Sequence, residues 1–141
     1  MDLALLRVIR SALAPFGDEA ATFDHAWGER ARMWFVEARP NNDSSASFSA
    51  AFDGDDLVTM VVGQTSCEVF PVKHVDDLDA VREIAEAVFE GKLEEAEQGG
   101  FARMTMRDGR VLAVGSLHLP IPWRLRRRPT YAPYGPLTMR A

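Results

Sequence analysis

Between Asp77 and Glu97 the apolar residues fall at helical spacing. Leu78, Val81, Ile84, Ala85, Val88, Phe89 and Leu93 form one stripe, with Glu83, Glu86, Glu90 and Glu94 on the outward side. That period places the apolar groups along one face, and it predicts a helix over about 77–97. Asp76 or Asp77 suits the N-cap, where an acid also complements the helix dipole, and Gly99-Gly100 suits the stop. Six of the stripe residues are large apolar groups, together worth on the order of 9–18 kcal/mol when buried. Against this stands roughly 1–2 kcal/mol of backbone entropy for each residue ordered. Such a helix is marginal alone, so the rest of the chain must supply a platform for it.

The platform reads as a sheet. Residues 31–39 alternate as a strand, and Pro40 with Asn41-Asn42-Asp43-Ser44-Ser45 makes a turn, because these side chains bond their own backbone. Phe48, Ala50 and Phe52 alternate with Ser47, Ser49 and Ala51, and Asp53-Gly54 signals a hairpin into Leu57–Val62, a strand apolar on both faces. Thr65 to Phe70 continues it or forms a further strand. The runs 101–107 and 110–116 flank Asp108-Gly109, which reads as a two-residue hairpin turn. Near the N-terminus Leu6, Ile9 and Leu13, with Leu3 one turn earlier, mark a helix stopped by Pro15 and Gly17. Residues 17–30 are open between a short helix and an irregular lead into the sheet. The tail from Leu119 carries five prolines and suits neither a regular helix nor a central strand.

The expected fold is therefore α+β: an antiparallel sheet of five to six strands, with a long helix (about 77–97) and an N-terminal helix packed on one face. Residues 1–118 form the domain, and 119–141 are a Pro/Arg-rich tail packed on it or extending from it. Several strands look apolar on both faces. Either the tail, with Trp123, Tyr131 and Tyr134, or a second copy of the chain should cover the other face.

A length of 141 residues suits one domain. A single cysteine, Cys67, forms no intrachain disulfide and fits a reducing compartment. The N-terminus carries Asp2, Arg7 and Arg10 where a secretion signal needs a basic start and an unbroken apolar run. No stretch reaches the ~20 apolar residues that span a bilayer. The expectation is a cytoplasmic protein with no membrane span. Arginine in place of lysine, with abundant Ala, Asp and Gly, is the composition of a GC-rich bacterial genome.

The chain holds no phosphate-binding glycine loop, no Cys-x-x-Cys and no His-Glu-x-x-His. Asp24-His25 with Glu29, and His74 with Asp76 and Asp77, are partial metal edges short of the three or four ligands a site needs. Cys67 could be a nucleophile with His74 or His118 as base, yet its setting in Thr65–Phe70 is that of a buried strand residue. No catalytic residue, metal or cofactor is expected. A pocket lined by Trp34, Trp123 or Tyr134, with His118 or His25, is the enzymatic or ligand-binding alternative.

Charge is unevenly placed. Residues 1–100 hold 8 basic and 20 acidic side chains, and residues 101–141 hold 8 and 1. The candidate partner-binding residues follow from this: Glu83, Glu86, Glu90 and Glu94 on the helix, and Arg124, Arg126, Arg127 and Arg128 in the tail. The arginine cluster beside Trp123, Tyr131 and Tyr134 has the chemistry to hold nucleic acid, but the acidic remainder of the domain would repel it. The bland alternative is pairing between the two regions.

The stretch Val81–Glu95, followed by Arg107-Asp108-Gly109-Arg110, resembles segments of the small α+β immunity proteins that neutralise bacterial polymorphic toxins. The element order also resembles the type III secretion chaperone-like fold, whose members are acidic dimers that bind unfolded client segments. The first resemblance implies a non-enzymatic inhibitor whose partner is a toxin, and the second implies a homodimer holding an extended client. Neither assigns a site residue.

Overall fold

The computed structural model of the chain describes residues 2–17, 19–53, 57–67, 70–72, 77–95, 101–115 and 131–134. Helix α1 spans Asp2–Leu13 and continues into a 3-10 turn, Ala14–Phe16. Its buried residues are Leu5, Ile9, Ala12 and Leu13, with Leu6 half-buried. Ile9 and Leu13 of the expected stripe are thus in the core and Leu6 packs against it, with Leu5 and Ala12 widening the same face.

Four strands follow as an antiparallel meander: β1 (Ala21–Gly28), β2 (Met33–Pro40), β3 (Phe48–Phe52) and β4 (Leu57–Val62). Residues 21–28 are therefore neither helical nor irregular. Two short strands, β5 (Thr65–Ser66) and β6 (Phe70–Pro71), return along the other edge of β4. Val61 faces Ser66 and Val58 faces Phe70.

Helix α2 covers Leu78–Phe89, with Asp77 at the N-cap position but making no side-chain capping bond. It ends eight residues before Glu97, and Gly91 is the cause. Gly91 adopts φ 74°. Its N–H bonds Val88 O at 3.1 Å, while the Lys92 N–H bonds Ala87 O at 2.9 Å. This pair of bonds is the Schellman helix stop, which needs a left-handed residue that glycine adopts without a Cβ penalty. Leu93, which continues the helical period, is buried instead in strand β7 (Leu93–Glu95). β7 pairs with β8 (Phe101–Thr105), and β8 with β9 (Val111–Gly115), giving a second antiparallel sheet. The β8–β9 turn has three loop residues, not two. Met106 N–H bonds Arg110 O at 2.8 Å around Arg107-Asp108-Gly109, and Gly109 sits at φ 91°.

The chain is an α+β fold with one continuous core. The inner face of the first sheet carries Val36, Ala38, Phe48, Ala50, Phe52, Val58, Met60 and Val62, all buried. Both helices reach that face. Phe89 of α2 packs edge-on to Phe48 at 5.8 Å, and Arg10 of α1 lies over the Phe23 ring at 5.2 Å. Residues 131–134 enter the same core. Tyr134 packs at a tilt on Phe89 with ring centroids 4.7 Å apart, donates its hydroxyl to Ala46 O at 2.5 Å, and caps α2 through an N–H bond to Phe89 O at 2.7 Å. Tyr131 and Tyr134 therefore seal the helix side of the sheet. They do not cover its outer face, where Phe35 and Leu57 each remain 40% exposed. Among the described residues, no helix is long and apolar enough to cross a membrane.

Candidate interaction surface

The four acids named from the sequence all face arginines of the β8–β9 hairpin, one on β8 and two in its turn. Glu83 pairs with Arg110, Glu86 and Glu90 share Arg107 at 3.1 and 2.6 Å, and Glu94 meets Arg103 at 2.7 Å. Glu94 belongs to β7 rather than the helix and lies directly across from Arg103. Glu90 holds the Arg107 guanidinium above its ordinary range, chiefly through their hydrogen bond. The stripe is thus a ladder of ion pairs tying α2 and β7 to the β8–β9 hairpin. A basic partner would have to displace those arginines. Arg124, Arg126, Arg127 and Arg128 lie outside the described residues, as do Trp123, His74, Asp76 and His118.

The other chemical candidates separate in space. Asp24 and His25 are neighbours on a strand and so point to opposite faces. Asp24 is bound to Arg39 at 2.6 Å, and Glu29 sits in the loop beyond. No group of three His, Cys, Asp or Glu that could hold a metal occurs among the described residues. Cys67 is buried, and that burial pushes its thiol up to about 11, the opposite of what a nucleophile needs. Trp34 and Tyr134 do not share a pocket, since Tyr134 is in the core and Trp34 lies at one end of the sheet.

Sequence reasoning missed Glu95, which is fully buried. Its Oε2 accepts the Thr65 hydroxyl at 2.6 Å and the Gln64 N–H at 2.8 Å, and its Oε1 accepts the Tyr131 hydroxyl at 2.6 Å. Buried carboxyl groups need such donors, and here they join both sheets to the 131–134 segment. Nothing in the spacing around Glu95 marks it, because its donors lie 30 or more positions away.

Among the described residues, the β1–β2 hairpin presents an exposed surface rich in anchoring side chains. Strand β1 is the edge of the first sheet, and its residues from Asp24 to Trp27 are exposed. Trp27, 40% exposed, packs on Trp34 across the hairpin with ring centroids 5.4 Å apart. On the opposite face the Phe35 ring lies over Gly28, so close that a Cβ there would meet it at 2.5 Å. The loop between the strands closes with Arg32 at φ 56°, its N–H bonded to Gly28 O at 2.8 Å. Trp, Phe, Met and Arg are the residue types enriched at protein interfaces. Beside β1, a groove of about 480 Å³ opens between Arg10, Leu13 and Ala14 of the first helical segment and Ala21 and Phe23.

A second, more apolar groove of about 410 Å³ lies between α2 and β9, walled by Ile84, Met106 and Leu112 and rimmed by the Glu83–Arg110 pair. Comparison of the chain with protein-family models, with curated proteins and with solved structures returns no match, so the functional reading rests on this geometry alone.

Proposed function

We propose that the chain is a non-enzymatic domain that works by binding another polypeptide, and that the β1–β2 hairpin is its recognition element. The supporting observation is the exposure of Trp27 and Phe35, each at 40%, on opposite faces of one hairpin whose outer edge is unpaired among the described residues. Large aromatic groups held on a rigid strand pair lose little conformational freedom on docking, which is why they dominate interface energetics. An immunity-type inhibitor is the specific form we propose, with a bacterial toxin as its partner.

The test is a photoreactive benzophenone side chain placed at Phe35 and, as a control, at exposed Arg82 on α2. Irradiation in the source cells should yield a discrete cross-linked polypeptide from position 35 and none from position 82. Cross-linking from neither position, or equally from both, overturns the assignment.

A further inference from the structure

The outer edge of β1, unpaired among the described residues, has a polarity that can be read from one bond. Asn41 N–H donates to Ala20 O at 3.0 Å. In the register that pairs Ala21 with Pro40 and Trp27 with Trp34, this alternation directs the backbone groups of Thr22, Asp24, Ala26 and Gly28 toward β2. Those of Ala21, Phe23, His25 and Trp27 point outward. The outward set has its side chains on the inner face, the face that carries the groove.

Along that face β1 offers a recess and a projection. The recess is the groove at Phe23, walled by Arg10 and Leu13. The projection is Trp27, 40% exposed though packed on Trp34, and docking would turn its indole from Trp34 toward the partner. They stand two residues on either side of His25, which is itself exposed. A two-fold axis through His25 would carry each projection onto the other copy's recess, as an isologous interface requires. Antiparallel pairing of two β1 strands about His25 sets Phe23 against the partner's Trp27 and His25 against the partner's His25, every such pair exchanging both backbone bonds. On the outer face Asp24 meets Ala26 and Thr22 meets Gly28, so no like charges oppose each other there. Arg10, already over the Phe23 ring, would lie against the incoming indole as well.

Within its own residues the strand lacks the devices that blunt an edge. It has no proline, no lysine and no bulge, and its one acid, Asp24, is turned to the outer face and held by Arg39 at 2.6 Å. We infer that a second copy of this chain occupies the β1 edge, joining two first sheets into one continuous sheet across His25, with Trp27 of each copy in the groove of the other. This rests on the reading of the hairpin as a binding surface and names the occupant of its edge.

The experiment is sedimentation of the purified full chain over a micromolar concentration series. The wild type should be dimeric. Trp27→Ala and His25→Lys should raise the dissociation constant about tenfold or more, since like charges face to face suppress pairing. His25→Glu should do the same alone, and an equimolar mixture of His25→Lys and His25→Glu should regain the dimer. Circular dichroism confirms that each variant is folded. A wild type that stays monomeric overturns the inference, and so does a dimer unaffected by both Trp27→Ala and His25→Lys. The hairpin reading fails separately: a dimer that behaves as expected, with no cross-link from position 35 to another polypeptide, removes the external partner and leaves the self-pairing standing.

Discussion

The hydroxyl of Tyr131 donates to Oε1 of Glu95 at 2.6 Å, and both lie against Gly63, whose missing Cβ leaves the space they fill. Glu95→Ala removes the acceptor of the Thr65 hydroxyl, which is fully buried, and of the Gln64 N–H. Donors left buried without an acceptor cost about 1–3 kcal/mol each, so the variant should lose about 2–4 kcal/mol in urea unfolding. Glu95→Gln keeps the shape and one carbonyl oxygen and should lose less.

Gly91 and Gly109 share a left-handed backbone but differ in surroundings. A Cβ on Gly91 would stand 2.6 Å from Pro133 N, whereas one on Gly109 would meet nothing within 4 Å. Gly109→Ala should cost about 1–2 kcal/mol, the strain of the conformation alone. Gly91→Ala must also displace the 131–134 backbone and should cost clearly more. Denaturation midpoints of the two variants measured side by side check this ordering.

Alkaline pH should destabilise the fold. Burial raises the Cys67 thiol from 9.0 to about 11 and pushes the Tyr134 hydroxyl above its ordinary value of 10.0. Below pH 9 both groups hold their protons in the folded and unfolded chains alike, and neither contributes a slope. Above pH 9 the unfolded chain releases the Cys67 proton while the folded chain retains it, so stability falls as pH rises toward 11, by about 2–3 kcal/mol from this group. Tyr134 adds to the fall above pH 10. Cys67→Ala should flatten the first part of the decline in a series of unfolding curves.

The Glu83–Glu94 ladder should be salt-sensitive. Arg107 bridges Glu86 and Glu90, whose side chains are 15% and 23% exposed. Arg107→Ala leaves these acids without that cation, so its melting temperature should drop below wild type at low ionic strength. The gap should narrow in high salt, where surface charges are screened. Asp108, held below its usual range first by the Arg110 backbone N–H and then by its guanidinium, should titrate with a midpoint under 3.8 by NMR. Its contribution to the turn is present above its unfolded value and disappears as pH falls through the folded one.

Phe35 over Gly28 is a contact between an aromatic ring and a bare backbone. Gly28→Ala must lift the ring, whereas the same change in a Phe35→Ala background meets no ring. A double-mutant cycle should give a coupling of about 0.5–1 kcal/mol.

The sequence patterns found most of the elements. Alternation at Phe48, Ala50 and Phe52 marked β3, and the stripe from Leu78 to Phe89 marked α2, because each residue there obeys the period of its own element. Leu93 was misplaced for a physical reason. It falls on the helical period, and only the Gly91 stop, invisible to a hydrophobicity count, sends it into a strand. Residues 21–28 hid because β1 is an edge strand with little buried on either face, so alternation is weak. The acids Glu83, Glu86, Glu90 and Glu94 were legible as a group, and so was the option of pairing with the basic region 101–141, but not which arginines take part: Arg103, Arg107 and Arg110 are brought opposite them only by the folding back of the β8–β9 hairpin. Glu95 looked like one more acid of that run.

The Tyr134 hydroxyl and the Ala46 carbonyl that receives it are separated by 88 positions, whereas the strands of the first sheet are joined by short turns. Closing so long a loop costs more entropy than closing a hairpin, and nothing offsets it until Phe89 and Ala46 are already in place. The meander and α2 should therefore assemble first, with the 131–134 segment the last piece to lock and the first to open. In native-state hydrogen exchange, the amides of Ala132 and Tyr134 should mark the earliest step of the molecule's unravelling, ahead of the central strands.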